Sequence, residues 1–220
     1  MVVLENISKC YRTRRGEVYA LREVNLRIEK GEFVVLSGPS GSGKTTLLMT
    51  IAAMLRPSSG TVCVGGSDIY AMAISERARF RAENIGFVFQ MFHLVPYLNI
   101  VENVLLAGRL SGRNASKAAA EGLLEQLGLG ERAGHKPAEL SAGEKQRAAI
   151  ARALFNEPKI ILADEPTGNL DPDNASAVLG HLAEFHGKGG TVILATHGPA
   201  AREFAGLTVT LRRGVIERTE

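Results

Sequence analysis

The 220-residue chain has little cysteine: Cys10 and Cys63 stand alone, at no spacing that a metal site uses. Both read as small apolar or strand residues, so a reducing compartment is expected. No stretch approaches the roughly 20 consecutive apolar residues that a membrane-spanning helix needs. The opening residues, MVVLENISKCYRTRRG, lack the apolar core of a secretory signal. The expectation is a cytoplasmic protein, held at the inner face of a membrane only through a partner. There is no run of basic residues, and the four Tyr and eight Phe form no base-stacking ladder. A net charge of +3 suits anionic ligands or a membrane surface, and no nucleic-acid partner is expected. Heptads, internal repeats and long linkers are absent too.

With 45% hydrophobic and 22% charged residues, the composition is that of a globular domain. VVLENISKCY reads as a strand, and VNLRI alternates as a half-buried antiparallel strand does. Gly31 turns the chain into EFVVLS, an apolar run that suits a buried strand. After GPSGSG, the segment KTTLLMTIAAML places Leu47, Leu48, Ile51, Ala52 and Leu55 on one helical face, and RPSSG stops it. TVCV and IGFVFQ read as further strands. From about Met91 to Phe155 the pattern is mostly helical, with Gly128 ending the helix that starts near Asn114. KIILA, a helix over about 172–186, TVILAT and a terminal hairpin LTVTLRRGVIE follow. Alternating buried strands and helices predict an α/β core with a parallel sheet. Antiparallel strands come first, and the helical block lies between two core strands.

Gly38–Thr45, GPSGSGKT, matches G-x-x-x-x-G-K-[ST]. A chance match in such a chain has odds on the order of one in a hundred. Its position after an apolar strand and before a helix lowers them further. Glycines let the loop curl so that consecutive N–H groups face inward, and the helix turns its positive end toward phosphates. Ser40, Gly41, Ser42, Gly43, Lys44, Thr45 and Thr46 are the candidate nucleotide-binding residues, with Lys44 on the β- and γ-phosphates and Thr45 on Mg²⁺. A second apolar strand, KIILADEP, delivers Asp164 and Glu165 to a sheet edge. Asp164 suits Mg²⁺ through water, and Glu165 is placed to orient or deprotonate an attacking water.

In LSAGEKQRAAIARAL, Ser141 and Glu144 stand as a capping box at a helix start. The same positive helix end could meet a phosphate held by another molecule, with Gly143 leaving room for it. Ala142 would already be helical, and Glu144 would fold back onto Ser141 and not touch the nucleotide.

Together these pieces resemble the ATP-binding-cassette (ABC) ATPases over nearly the whole chain. The order is phosphate loop, Gln90, LSAGE at Leu140–Glu144, Asp164–Glu165, GNLD ending at Asp171, and His197 after TVILAT. The resemblance implies one domain over 1–220. Residues about 1–90 and 156–220 would be a RecA-like P-loop core with an N-terminal antiparallel β-subdomain, and about 91–155 an inserted α-helical subdomain. It implies MgATP hydrolysis by a homodimer that sandwiches two nucleotides and drives an integral membrane permease subunit. Glu165, His197 and Gln90 would be catalytic, and Thr45, Gln90 and Asp164 would serve the metal. Ser141 and Gly143 would contact the partner copy's ATP, Asp171 would lie at the dimer interface, and Tyr11 would stack on adenine. Each has a plainer alternative. Gln90 is also an edge-strand glutamine, His197 a helix-capping loop residue, Tyr11 a core-packed aromatic and Asp171 a helix N-cap before Pro172. Two positions depart from the family pattern: Ser-Ala-Gly-Glu replaces Ser-Gly-Gly-Gln, and Gly198 follows the histidine where Asp is usual.

The segments IGFVFQMFHLVPYLNIVENV and GERAGHKPAELSAGE resemble the short ABC ATPases of lipoprotein release, macrolide efflux and cell division. In that group residues around Met91 to Asn99 would lie near the groove that receives the membrane subunit. Phe92, Leu94, Val95, Pro96 and Tyr97 then read as a docking surface, or equally as a buried joint. Two other functions stay open: a regulator of cell-wall hydrolases acting through a membrane partner, and a non-transport ABC ATPase.

Overall fold

The computed structural model describes residues 1–14, 16–111, 116–198 and 200–220. One antiparallel sheet has the order β2 (Gly16–Ile28), β1 (Val2–Thr13), β4 (Ser59–Val64) and β5 (Ser67–Asp68). The larger sheet runs β10 (Val215–Thr219), β9 (Leu207–Arg212), β3 (Phe33–Ser37), β8 (Thr191–Ala195), β7 (Ile160–Asp164) and β6 (Ile85–Val88). Its strands are parallel except for the β9–β10 hairpin. The helices are α1 (Lys44–Ile51), α2 (Ile74–Asn84), α3 (Ile100–Ser111), α4 (Lys117–Gln126), α5 (Ala142–Leu154) and α6 (Pro172–Gly187). None is long and apolar enough to cross a membrane, among the described residues.

All five residues of β3, β7 and β8 are buried, because both faces of the parallel sheet are covered. Successive side chains go to opposite faces. Val34, Leu36, Leu162 and Ile193 pack with α1 and the antiparallel sheet. Phe33, Val35, Ile161 and Leu194 pack with α3, α4, α5 and α6. The inserted helices therefore share one core with the sheet.

One helix departs from its expectation, and another was not expected at all. The first helix ends at Ile51 and does not reach Leu55. Ala53 is left-handed at φ 58, and the N–H groups of Met54 and Ala53 return to Met49 O (3.0 Å) and Thr50 O (3.3 Å). This is a Schellman stop with alanine where glycine is usual. It reverses the chain so that Ser58 N reaches Ser8 O of β1 at 2.7 Å. The unexpected helix is α2. Its sequence, ISERARFRAEN, buries no side chain fully, so it carries no apolar stripe to read. Gly128 does end α4, at φ 68. Ser116 caps α4, and Asn114 lies outside the described residues.

Asn103 is fully buried and pins the segment before α3. Its Oδ1 accepts from Val95 N (2.7 Å), and its Nδ2 donates to the carbonyls of Val95 (3.1 Å), Leu98 (3.2 Å) and Asn99 (3.0 Å). Asn103→Leu would orphan these groups and is expected to cost about 2–4 kcal/mol in urea unfolding. A loss below about 0.5 kcal/mol would mean that the loop finds other partners.

Candidate nucleotide site

The carboxyl ends of β3, β7, β8 and β6 converge at one edge of the sheet, where open α/β sheets bind ligands. From β3 the chain enters Gly38–Gly43 and then α1. Gly43 caps the helix at φ 110, and a Cβ there would lie 2.5 Å from Ala20 O, so only glycine fits. The β9–β10 turn braces the loop from behind. Gly214 N donates to Ser42 O at 2.9 Å, while Arg22 N donates to Gly214 O at 2.8 Å.

Charge is concentrated inside this loop. Lys44 is buried, and its Nζ donates to Gly38 O (2.7 Å) and Pro39 O (3.2 Å). It stands 3.8 Å from Glu165 Oε1. The other carboxylate oxygen of Glu165 lies 2.9 Å from His197 Nδ1. Glu165 is left-handed at φ 45, which costs a non-glycine residue roughly 1–2 kcal/mol. Its N–H donates to Ala195 O at 2.8 Å, and its carbonyl accepts from Gly168 N at 3.1 Å. Thr45 Oγ1 donates to Asp164 Oδ1 at 3.1 Å. Burial pushes the Asp164 carboxyl above its ordinary value, against the Thr45 hydrogen bond, and the Glu165 charge adds to the rise.

Ser40 to Thr46 line a cavity of about 540 Å³ together with Gln90, Glu165 and His197. The donor set fits a magnesium-bound polyphosphate. Among the described residues Ser42 Oγ is buried without a partner, Lys44 is turned onto loop carbonyls, and the Thr45 hydroxyl and Asp164 carboxylate are hard oxygen ligands. Gln90 is exposed just beyond β6. Its Nε2 abuts Gly168, where a Cβ would come within 3.1 Å, so it touches the segment that follows Glu165.

Tyr11, Ser141, Gly143 and Asp171 line no part of this cavity. Tyr11 is 43% exposed on β1 with the Lys9 ammonium 5.2 Å from its ring, so it is not core-packed. Asp171 is the N-cap of α6, accepting from Asn174 N at 2.9 Å. Ser141 is the N-cap of α5 in a complete capping box. Ser141 N donates to Glu144 Oε2 (2.8 Å), and Glu144 N donates to Ser141 Oγ (3.2 Å). Gly143 is buried in the single chain, beneath Asn174 of α6.

The segment after Gln90 divides. Met91 and Tyr97 project into solvent, while Leu94 packs on the core. Phe92 and His93 are both left-handed, at φ 57 and 49. The Arg152 guanidinium of α5 holds them by donating to both of their carbonyls. Two charge-assisted bonds, each worth about 1.5–3 kcal/mol, offset that backbone strain. Arg152 was missed by sequence reading, though it shares a helical face with the buried Ala148 and Ala149. Arg152 and His93 also line a largely apolar groove of about 630 Å³, with Met54, Phe87, Phe89 and Leu106.

The Asp164 shift has a sign that can be tested. A carboxyl with a folded pKa above its unfolded value lowers stability when ionised. That loss is present at neutral pH and disappears below about pH 4. Asp164→Asn keeps an acceptor for Thr45, so it is expected to raise the thermal midpoint of the nucleotide-free protein at neutral pH. The gain should shrink as pH falls. An unchanged or lower midpoint at neutral pH would contradict the burial argument.

Comparison with known proteins identifies the family. A model of the family described as "ABC transporter" matches residues 21–168. An uncharacterized ABC transporter ATP-binding protein of Methanocaldococcus jannaschii is 45% identical, over 98% of this chain and 97% of its own. The lipoprotein-releasing system ATP-binding protein LolD of Shewanella sp. (strain MR-7) is 40% identical over 99% of this chain and 95% of its own. Among solved structures, a dimeric ATP-binding cassette in a post-hydrolysis state bound to ADP and Pi superposes with a TM-score of 0.95. It has 39% identity and covers 100% of this chain and 98% of that one. The chain therefore belongs to the ABC transporter family, as an ATP-binding and ATP-hydrolysing cassette.

Proposed function

We propose that this chain powers an export or extrusion system of the lipoprotein-release or macrolide-efflux type, from the cytoplasmic face of the cell membrane. Two copies close head-to-tail around two MgATP and move a membrane subunit. The observation that carries this reading is the meeting of Lys44, Thr45–Asp164 and Glu165–His197 around one cavity at the sheet edge. The likeness to LolD supports the type of partner.

In this reading the loop N–H groups, Ser40, Ser42, Thr46 and Lys44 bind the phosphates. Thr45, Asp164 (through water) and Gln90 would hold Mg²⁺, and the ion would supply positive charge to the triphosphate. Lys44 leaves the carbonyls of Gly38 and Pro39 for the β- and γ-phosphates. Glu165 takes a proton from the attacking water at a carboxylate oxygen, as the bond to the ADP leaving group breaks and inorganic phosphate forms. His197 steadies that carboxylate and reaches the γ-phosphate. Gln90, beside Gly168, relays the position of the membrane subunit. Tyr11 offers its exposed ring to adenine, and Ser141, Gly143 and Asp171 act on the partner copy's nucleotide. The groove lined by Arg152, His93 and Phe89 receives the membrane subunit, as do the exposed Met91 and Tyr97.

Glu165→Gln is expected to lower turnover by roughly 10²–10⁴-fold while ATP now yields a stable dimer in size exclusion. Normal turnover in that variant would remove Glu165 from the role of base. Lys44→Ala should instead weaken ATP binding itself in a titration. Unchanged affinity there would overturn the assignment of the phosphate loop.

A further inference from the structure

We propose that Asn174 is a positioning residue that locks the start of α5 to the start of α6. Ser141, Gly143 and Asp171 would then reach a second copy as one rigid unit. This rests on the two-copy reading above.

Asn174 is the third residue of α6 and makes polar contacts in three directions. Its N–H donates to Asp171 Oδ1 at 2.9 Å, and its Nδ2 donates to Asp171 Oδ2 at 2.7 Å. Its Oδ1 accepts from Arg147 Nη1 of α5 at 3.0 Å. Arg147 lies four residues after Gly143 and therefore on the same helical face. The amide orientation follows from its neighbours: the carboxylate needs the NH₂ group and the guanidinium needs the oxygen.

The same side chain accounts for the glycine at 143. A Cβ there would fall 2.0 Å from Asn174 Oδ1, 2.3 Å from its Cγ and 3.0 Å from its Cβ. The first two are shorter than real Cβ contacts, so a methyl group would have to shift the Asn174 amide and disturb its side-chain bonds to Asp171 and Arg147. Gly143 is thus a glycine for a reason internal to one protomer, before any phosphate approaches. Ser141 and Asp171 are exposed N-caps of the two helices that Asn174 joins. A shift of about 1 Å between groups serving one reacting centre can cost about a hundredfold in rate. A bridge that fixes their spacing would therefore act on turnover and leave the phosphate loop alone.

The test compares Asn174→Ala with the unaltered chain. It reads ATPase turnover, ADP affinity by calorimetry, and ATP-driven dimerisation in a Glu165→Gln background. Asn174→Ala is expected to lower turnover about tenfold and weaken dimerisation, with ADP affinity unchanged. Turnover and dimerisation of Asn174→Ala within about twofold of the unaltered chain would overturn the proposal. If Asn174→Ala fails to fold, Arg147→Met removes the bridge from the other helix. It must then show the same loss, and unchanged turnover overturns the proposal. Absence of any ATP-driven dimer with Glu165→Gln alone would instead sink the two-copy reading itself.

Discussion

The sheet edge is organised by the need to satisfy a buried ammonium. Lys44 is 7% exposed, and an unpaired charge at that depth costs several kcal/mol. Two loop carbonyls and the Glu165 carboxylate answer it. For those carbonyls to face Nζ the loop must curl over the helix start, which demands the left-handed Gly43. For the carboxylate to arrive, β7 must end two strands from β3, with β8 between them, and Glu165 must take a left-handed backbone. Asp164, pushed toward its protonated form beside Glu165, is the other cost of the cluster. Each compromise would ease if a polyphosphate and a divalent cation entered together. The anion replaces the loop carbonyls as partner of Lys44, and the cation favours the ionised Asp164.

Helix α5 joins this edge to two distant surfaces. Its first turn presents Ser141 and is held by Asn174 through Arg147. Its last turn holds the left-handed Phe92 and His93 through Arg152. Those two residues lie just past Gln90, and His93 lines the apolar groove. A rigid 13-residue helix thus has one end at the proposed contact with a second copy and the other at the proposed contact with a membrane subunit. Rigid elements that two sites both bias are the physical requirement for coupling between them.

What the chain revealed before folding was whatever repeats or punctuates. The buried strands announced themselves as continuous apolar runs, and GPSGSGKT and KIILADEP sat at their ends. Helix α2 was illegible because it buries nothing fully, and periodicity is a record of burial. The early end of α1 was illegible because Ala53 is a left-handed residue that nothing local demands. It is imposed by the return of the chain to β1. The bridges made by Asn174 and Arg152 span 27 and about 60 residues of sequence, and no local pattern encodes such pairs. The site was legible as a set of motifs, and its internal contacts were not.

The signature helix shows how a departure from the family pattern can be absorbed. Glutamate at 144 brings a negative charge to a helix start proposed to meet a triphosphate. The Ser141 N–H first, and then Arg132 at 3.0 Å, hold that carboxyl below its ordinary value, so it is ionised but engaged. The capping box uses the N–H groups of Ser141 and Glu144, not those of Ala142 and Gly143. Ser141 Oγ accepts from the Glu144 N–H, and the Ser141 hydroxyl is also among the groups that hold the Glu144 carboxyl low. What the box leaves to an incoming phosphate is therefore the positive end of α5, at the first-turn N–H groups of Ala142 and Gly143. The box and the proposed half-site draw on different N–H groups of one helix start, and the carboxylate stays tied to Ser141 and Arg132.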